Sequence, residues 1–354
     1  FAKIRKNSLP SLVFRRFFYI FVSDCIKKMT LKEFLDDWNS PSPTLTVHTS
    51  GSTGSPKPME VEKQKMLNSA RITCDFLHLR PGDRALLCMS LDYIAGKMMV
   101  VRSLERGLRL VSVEPTGHPF ATLAHEEPFD LVAMVPLQVY NSLHVEEERA
   151  QLMRSRHLII GGGAIDAELE RELQNFPHAV WSTYGMTETL SHVALRRLNG
   201  QEASQWYKPF SHVGISQTAE GCLVVDAPLV HDGPLVTNDR VEIHGNRFRI
   251  LGRKDNVVCS GGLKIQIEEV EEKLRGLLTA PFMVSRQKDE KFGQVVVLLT
   301  ESKDIEAVKE TCRRVLPKYW QPKHYYHLEH LPMTATGKPA RGIAEKWVEE
   351  NNQK

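Results

Sequence analysis

No run of about 20 apolar residues, the length of a membrane-spanning helix, occurs anywhere in this 354-residue chain. Net charge is nearly absent as well. At +3 it makes no case for a nucleic-acid binder, and there is neither a long basic helix nor interleaved aromatic and basic residues. Cysteine is sparse: Cys25, Cys74, Cys88, Cys222, Cys259 and Cys312 are scattered without a Cys-x-x-Cys pair. That disfavours a zinc site or a disulfide framework and suits a reducing, cytoplasmic setting. Repeats and low-complexity tracts are lacking. No Gly-Lys-Ser/Thr closes a G-x-x-x-x-G frame, so there is no Walker A loop. What remains, 42% apolar and 25% charged, is the balance of a soluble globular protein long enough for two domains.

The segment Thr49-Ser50-Gly51-Ser52-Thr53-Gly54-Ser55-Pro56-Lys57 is unlike any packed element. Glycines let a backbone approach an anion closely. Successive N–H groups form a nest for phosphate oxygens, hydroxyls add donors, and Lys57 adds charge. A flexible Ser/Gly linker is the plainer reading. Pro56, Lys57 and the strand-like Leu45-Thr46-Val47 before them favour phosphate.

Residues 1–28 are set apart as an uncertain N-terminal extension. Phe1 is not an initiator, and a basic start leads into the short apolar run 17–22, followed by Asp24 without a small-residue cleavage site. Met29 is a candidate true start. After it, residues 30–38 read as a helix with Thr30 as N-cap and Glu33 completing a capping box.

Alternation of strand and helix patterns dominates residues 45–240. Strands are expected at 45–47, 84–89, 108–113, 129–135, 157–160 and 179–182, with helices at 63–77, 96–106 and 166–175. Repeated β-α-β units imply a parallel sheet, with ligands outside the carboxyl ends of its strands. There the phosphate loop, Gly161-Gly162-Gly163 and the turn from Tyr184 to Thr189 are expected to lie. After Asn199 short strands separated by turns imply a small, barrel-like antiparallel subdomain. The last hundred or so residues read as a compact α+β unit, with helices at 267–277 and 304–315 and a strand at 295–299. Residues 252–256 mark the boundary.

Three further segments fall in order after the phosphate loop: Tyr184-Gly185-Met186-Thr187-Glu188-Thr189; Gly252-Arg253-Lys254-Asp255 leading into Ser260-Gly261-Gly262-Leu263-Lys264-Ile265; and Leu331-Pro332-Met333-Thr334-Ala335-Thr336-Gly337-Lys338-Pro339-Ala340-Arg341. Together the four resemble the signature motifs of the adenylate-forming superfamily, which includes acyl-CoA synthetases, luciferases and peptide-synthetase adenylation domains. The resemblance covers most of the chain, from about His48 to Arg341. It implies an α/β fold: a large N-terminal AMP-binding domain (29–252), with a parallel sheet plus a small antiparallel β subdomain, and a small mobile C-terminal α+β domain (253–354).

The resemblance also implies roles. ATP, Mg2+ and CoA are the expected cofactor and co-substrates. Thr49, Ser50, Gly51, Ser52, Thr53, Gly54 and Lys57 hold the β- and γ-phosphates, and Glu188 ligates magnesium. Tyr184 stacks on adenine beside Gly185 and Thr187, and Gly162 and Gly163 line the adenine and acyl pocket. Asp239 grips the ribose hydroxyls although Asn238 stands where the family has glycine; asparagine tolerates positive φ. Arg253 makes a second ribose-side contact. Lys338 reaches the substrate carboxylate and the α-phosphate, and Asp255 is the hinge about which the second domain swings between adenylation and thiol attack. Plainer readings exist: a helix cap at Glu188, a tight turn at the glycine triplet, surface salt bridges at Asp239 and Arg253.

Only 48 residues precede the phosphate loop. This short format resembles the o-succinylbenzoate–CoA ligase branch of menaquinone biosynthesis. That acid has two carboxylates, one to be activated and one to be recognised, and Lys97 and His192 are the cationic candidates, with Ser191 as a donor. The alternatives are a snorkelling lysine and a core histidine. Another aryl- or acyl-CoA ligase or a carrier-protein adenylating enzyme stays open. So does an inactive nucleotide-binding relative, against which Glu188, Asp239, Arg253 and Lys338 speak.

Overall fold

The computed structural model describes residues 28–48, 58–123, 126–165, 167–334 and 339–351. The helix Leu31–Asn39 opens as its sequence dictates: Thr30 caps it and Glu33 closes the capping box. Strands β1 (Thr44–His48) and β2 (Pro58–Glu62) pair antiparallel, His48 opposite Pro58. The expected phosphate loop, 49–57, joins them and lies outside the described residues. Its setting corrects the sequence reading: among the described residues β1 pairs with β2 alone, in a two-stranded sheet apart from the parallel one.

The main sheet has seven strands: β3 (Arg84–Leu87), β4 (Arg109–Ser112), β5 (Leu131–Met134), β6 (His157–Ile160), β7 (Ala179–Gly185), β8 (His192–Arg197) and β9 (Lys208–Pro209). Their order is β4-β3-β5-β6-β7-β8-β9, parallel as far as β7, and antiparallel from β7 to β9. Side chains alternate across a strand, and the cores follow that alternation. Ala85, Leu87, Leu131, Ala133 and Ile159 pack on one face with the helices Lys63–Phe76 and Ile94–Arg106. Leu86, Cys88, Val132, Met134, Leu158 and Ile160 pack on the other. The helices Pro136–Leu143 and Glu146–Met153 on that second face were not expected, and the helix Ala167–Leu173 was.

The next sheet, β10 (Gly214–Gln217), β11 (Cys222–Asp226), β12 (Leu235–His244) and β13 (Arg247–Arg253), is antiparallel in sequence order. It is an open sheet rather than the expected barrel, because β10 and β13 remain its two ends. A 3-10 turn, Lys254–Asn256, leads to β14 (Val257–Ser260) and β15 (Leu263–Gln266), a hairpin. These join β16 (Phe282–Asp289), β17 (Gly293–Thr300) and β18 (His324–His327) in a five-stranded sheet. The helices Ile267–Leu274, Ile305–Val315 and Arg341–Asn351 complete this part. No helix among the described residues is long and apolar enough to cross a membrane.

Candidate active site

Tyr184 is the penultimate residue of β7, and its ring meets Phe248 of β13 edge-on at 5.0 Å, with Tyr207 at 6.0 Å. These contacts leave it 6% exposed. A base therefore has little open face to stack on here, in contrast to the expectation for Tyr184. Its hydroxyl donates to Oδ2 of Asp239 on β12 at 2.7 Å. Burial first, then the Asp239 charge, pushes this phenol above its ordinary range. Asp239 is paired in register with Arg253, whose Nη1 reaches Asp239 Oδ1 at 3.4 Å. Arg253 also forks onto Asp255, with both bonds at 2.9 Å. Burial would raise the Asp255 pKa, but the bonds and charge of Arg253 outweigh it and hold it low. Tyr184, Asp239, Arg253 and Asp255 thus form one continuous chain of contacts, joining the main sheet to the segment before β14.

After β7 the backbone turns back through 186–191 into β8. Gly185 is required there: a Cβ would meet the Ser191 carbonyl oxygen at 2.2 Å and the His192 Cα at 2.6 Å. Thr189 Oγ1 accepts from the Met186 amide at 3.0 Å and donates to the Ser191 carbonyl at 2.8 Å. Leu190 takes φ +64°, a strained value for a residue with a Cβ. Thr187 is buried and Glu188 half-buried in this turn. No helix starts here, so Glu188 caps none. Among the described residues its carboxylate has no hydrogen-bond or ion-pair partner, which leaves it available to a hard cation. Gly162 and Gly163 follow the carboxyl end of β6, both exposed.

The acyl-side candidates divide into two groups. Ser191 and His192 come together with a residue the sequence reading missed, Arg102. This guanidinium is 2% exposed in the helix Ile94–Arg106. Its Nη2 donates to Ser191 Oγ, its Nη1 lies 3.7 Å from Met99 Sδ, and its Nε has no partner. It forms no ion pair with a carboxylate among the described residues. Burial pulls its pKa down to about 10. His192 Nδ1 lies 3.3 Å from Ser191 Oγ and Nε2 lies 3.1 Å from Thr73 Oγ1, whose hydroxyl donates to the Ser69 carbonyl. The donors then run one way: Arg102 to Ser191, Ser191 to Nδ1, Nε2–H to Thr73. That assignment requires a neutral imidazole. Burial first, then Arg102, holds His192 well below its ordinary pKa. Burial therefore disfavours the cationic His192 that the sequence reading expected, and Arg102 is the cation beside it.

Lys97 turns elsewhere. It is 3% exposed, with Nζ 3.0 Å from Met29 Sδ and 5.4 Å from the centre of the Phe34 ring. Burial lowers its pKa, against the charges of Asp92 and Asp37. A snorkelling lysine would be exposed, and this one is not. Arg102 carried a sequence signal: it is the charge that directly follows the apolar stretch Met98-Met99-Val100-Val101 on the same helix. Lys338, with residues 335–337, lies outside the described residues.

The sequence profile of the AMP-binding enzyme family matches residues 23–233. This chain belongs to the AMP-binding enzyme family. Among its relatives in this family, the 2-succinylbenzoate–CoA ligase of Salmonella typhimurium is 29% identical over 326 residues, covering 86% of this chain and 68% of that one. An acyl-CoA synthetase (AMP-forming)/AMP-acid ligase II-like protein from Dyadobacter fermentans has a crystal structure similar to this one. It is 36% identical, with a TM-score of 0.60, over 90% of this chain and 93% of that one. The o-succinylbenzoate CoA synthetase (MenE) from Bacillus subtilis, solved with the acyl-adenylate OSB-AMP, shares the fold: its TM-score is 0.71 at 22% identity, covering 84% and 68%.

Proposed function

We propose that this AMP-binding enzyme is an ATP-dependent acid–thiol ligase of the cytoplasm. It joins o-succinylbenzoate to the α-phosphate of ATP, expels pyrophosphate, and passes the acyl group to the thiol of CoA with release of AMP, for menaquinone biosynthesis. The observation that carries the choice of acid is Arg102. A buried guanidinium without a carboxylate is costly, and a substrate with a second carboxylate would relieve that cost while monocarboxylic acids would not. The 2-succinylbenzoate–CoA ligase relatives support the same reading.

Anion meets anion in the first step, so positioning and charge neutralisation supply most of the catalysis. Glu188, free among the described residues, fits a magnesium ligand, and the ion when bound would neutralise phosphate charge. Asp239 and Arg253 would orient the ribose, with residues 49–57 on the phosphates. Lys338 would bring a flexible ammonium to the reacting carboxylate. We read 29–252 as the AMP-binding domain and 253–354 as a mobile domain hinged at Asp255. The ligand reading of Lys97 is retained as a second, weaker cation near the acyl pocket.

The test is pyrophosphate release over a panel of carboxylic acids, with and without CoA. Preference for o-succinylbenzoate, and thioester only when CoA is present, is the expected result. Preference for a fatty acid would transfer the reading to a general acyl-CoA ligase.

A further inference from the structure

The joint between the β10–β13 sheet and the last sheet is gripped by side chains of the last part. Arg286, on β16, donates through Nη1 to the carbonyl oxygens of Asp255 at 3.0 Å and Val257 at 3.3 Å. Through Nη2 and Nε it reaches Glu345, both contacts at 3.2 Å. Glu345 belongs to the helix Arg341–Asn351, which begins three residues after Lys338. From the other side Gln266, on β15, donates to the Arg253 carbonyl at 2.8 Å and accepts from Arg240 of β12 at 3.2 Å. Gln266 packs so closely on Gly252 that a Cβ there would lie 2.7 Å from its Nε2.

We propose that Arg286 is a positioning residue that biases the joint toward the arrangement seen here, and so sets the balance between the two half-reactions. The inference rests on the ligase reading above. That reading gives one acyl carbon two successive partners, a phosphate and then a thiol, and a chain with a single narrow joint presents different groups to it by turning there. Rotation about the Asp255 backbone redirects its carbonyl oxygen and breaks the bond to Arg286. The bond to Val257 lies beyond the rotation and is kept. Arg286 therefore adds one charge-assisted hydrogen bond to this arrangement over a rotated one. Glu345 holds the guanidinium on target and links it to the helix that follows the Lys338 segment.

The test uses the full chain as wild type, Arg286→Met, Arg286→Lys and Glu345→Gln. Two rates are measured: pyrophosphate release with o-succinylbenzoate without CoA, and consumption of preformed acyl-adenylate with CoA. In Arg286→Met the ratio of the two should shift by roughly tenfold with the KM for ATP unchanged. Glu345→Gln should shift it less and in the same direction, and Arg286→Lys should stay near wild type. A purely structural role would instead lower both rates together. An unchanged ratio in Arg286→Met overturns the inference, as it does in Glu345→Gln should the methionine variant not fold. A wild type that releases no pyrophosphate sinks the ligase reading and this inference with it. A working wild type with an unchanged ratio sinks the inference alone.

Discussion

The hydroxyl of Tyr184, near the end of β7, donates to Oδ2 of Asp239 on β12 at 2.7 Å. This bond ties the parallel sheet to the small antiparallel one at the place where the ribose is proposed to bind. Tyr184→Phe keeps the ring and its contacts with Phe248 and Tyr207. It removes a hydrogen bond to a carboxylate, worth about 1.5–3 kcal/mol. ATP affinity, read by calorimetry, should fall by up to about a hundredfold, and adenylation at saturating ATP should persist. Asp239→Ala, which also removes the Arg253 contact at 3.4 Å while Arg253 keeps its fork on Asp255, should weaken ATP binding further. Equal affinity in wild type and both variants would remove Asp239 from the nucleotide site.

If Asp255 is the hinge proposed above, substitutions there should separate the two half-reactions. Its carboxylate takes both arms of Arg253, so Asp255→Pro removes that fork as well as fixing φ. Asp255→Ala removes the fork alone and is the control. Thioester formation from preformed adenylate should fall in the proline variant and survive in the alanine variant, with adenylate formation retained in both. Lys338→Ala should do the reverse, abolishing adenylate formation while ATP still binds. Parallel loss of both steps in Asp255→Pro would reduce Asp255 to a structural residue.

Much of this was legible in the sequence. The buried strands of the main sheet announced themselves as apolar runs, and the Thr30–Glu33 box fixed the start of a helix. The strand β8 was not legible: only Val193, Ala194 and Leu195 of its six residues are apolar, and His192, Arg196 and Arg197 break the run that marks a buried strand. The helix Glu146–Met153 was missed because four of its eight residues are charged and its apolar stripe is thin. Ser191 and His192 were chosen as candidates from their place after a motif, whereas the lowered pKa of His192 comes from its burial and from the charge of Arg102, which is remote in sequence. Lys97 and Arg102 lie five residues apart on one helix, yet they turn to different neighbours.

Acid should expose a histidine the chemistry does not use. His157, at the start of β6, has its Nδ1 buried without a partner. Burial first, then the charges of Arg156 and Arg197, push its pKa from 6.5 to about 4. Between those values the unfolded chain binds a proton that the folded chain refuses. Stability is therefore lost as pH falls through that window, and His192, also lowered, acts in the same direction. Urea midpoints measured across the window should slope less steeply in His157→Gln. The difference should be at most about 2 kcal/mol once solvent screening is allowed for. An unchanged slope would mean that His157 protonates as readily folded as unfolded.

Arg102 separates stability from function most sharply. In the absence of an anion, its guanidinium is buried with Nε unpartnered and no carboxylate partner among the described residues. Arg102→Met keeps much of the apolar stem and removes the charge, so the substrate-free protein should unfold at higher temperature, by about 1–4 kcal/mol in stability. The same change should lower kcat/KM for o-succinylbenzoate by roughly tenfold to a hundredfold, the weight of one charged hydrogen bond. With benzoate-type or aliphatic monocarboxylates the loss should vanish, because those acids offer the cation nothing. His192→Leu should cost less than Arg102→Met on the dicarboxylate, since a neutral imidazole only relays a hydrogen bond through Ser191. Lys97→Met decides whether the second cation matters. If it matches Arg102→Met in its selective loss, both charges read the acid; if it leaves kcat/KM unchanged, Lys97 serves only its packing on Phe34 and Met29. A stabilised Arg102→Met that keeps full activity on o-succinylbenzoate would rule out recognition of a second carboxylate by this guanidinium.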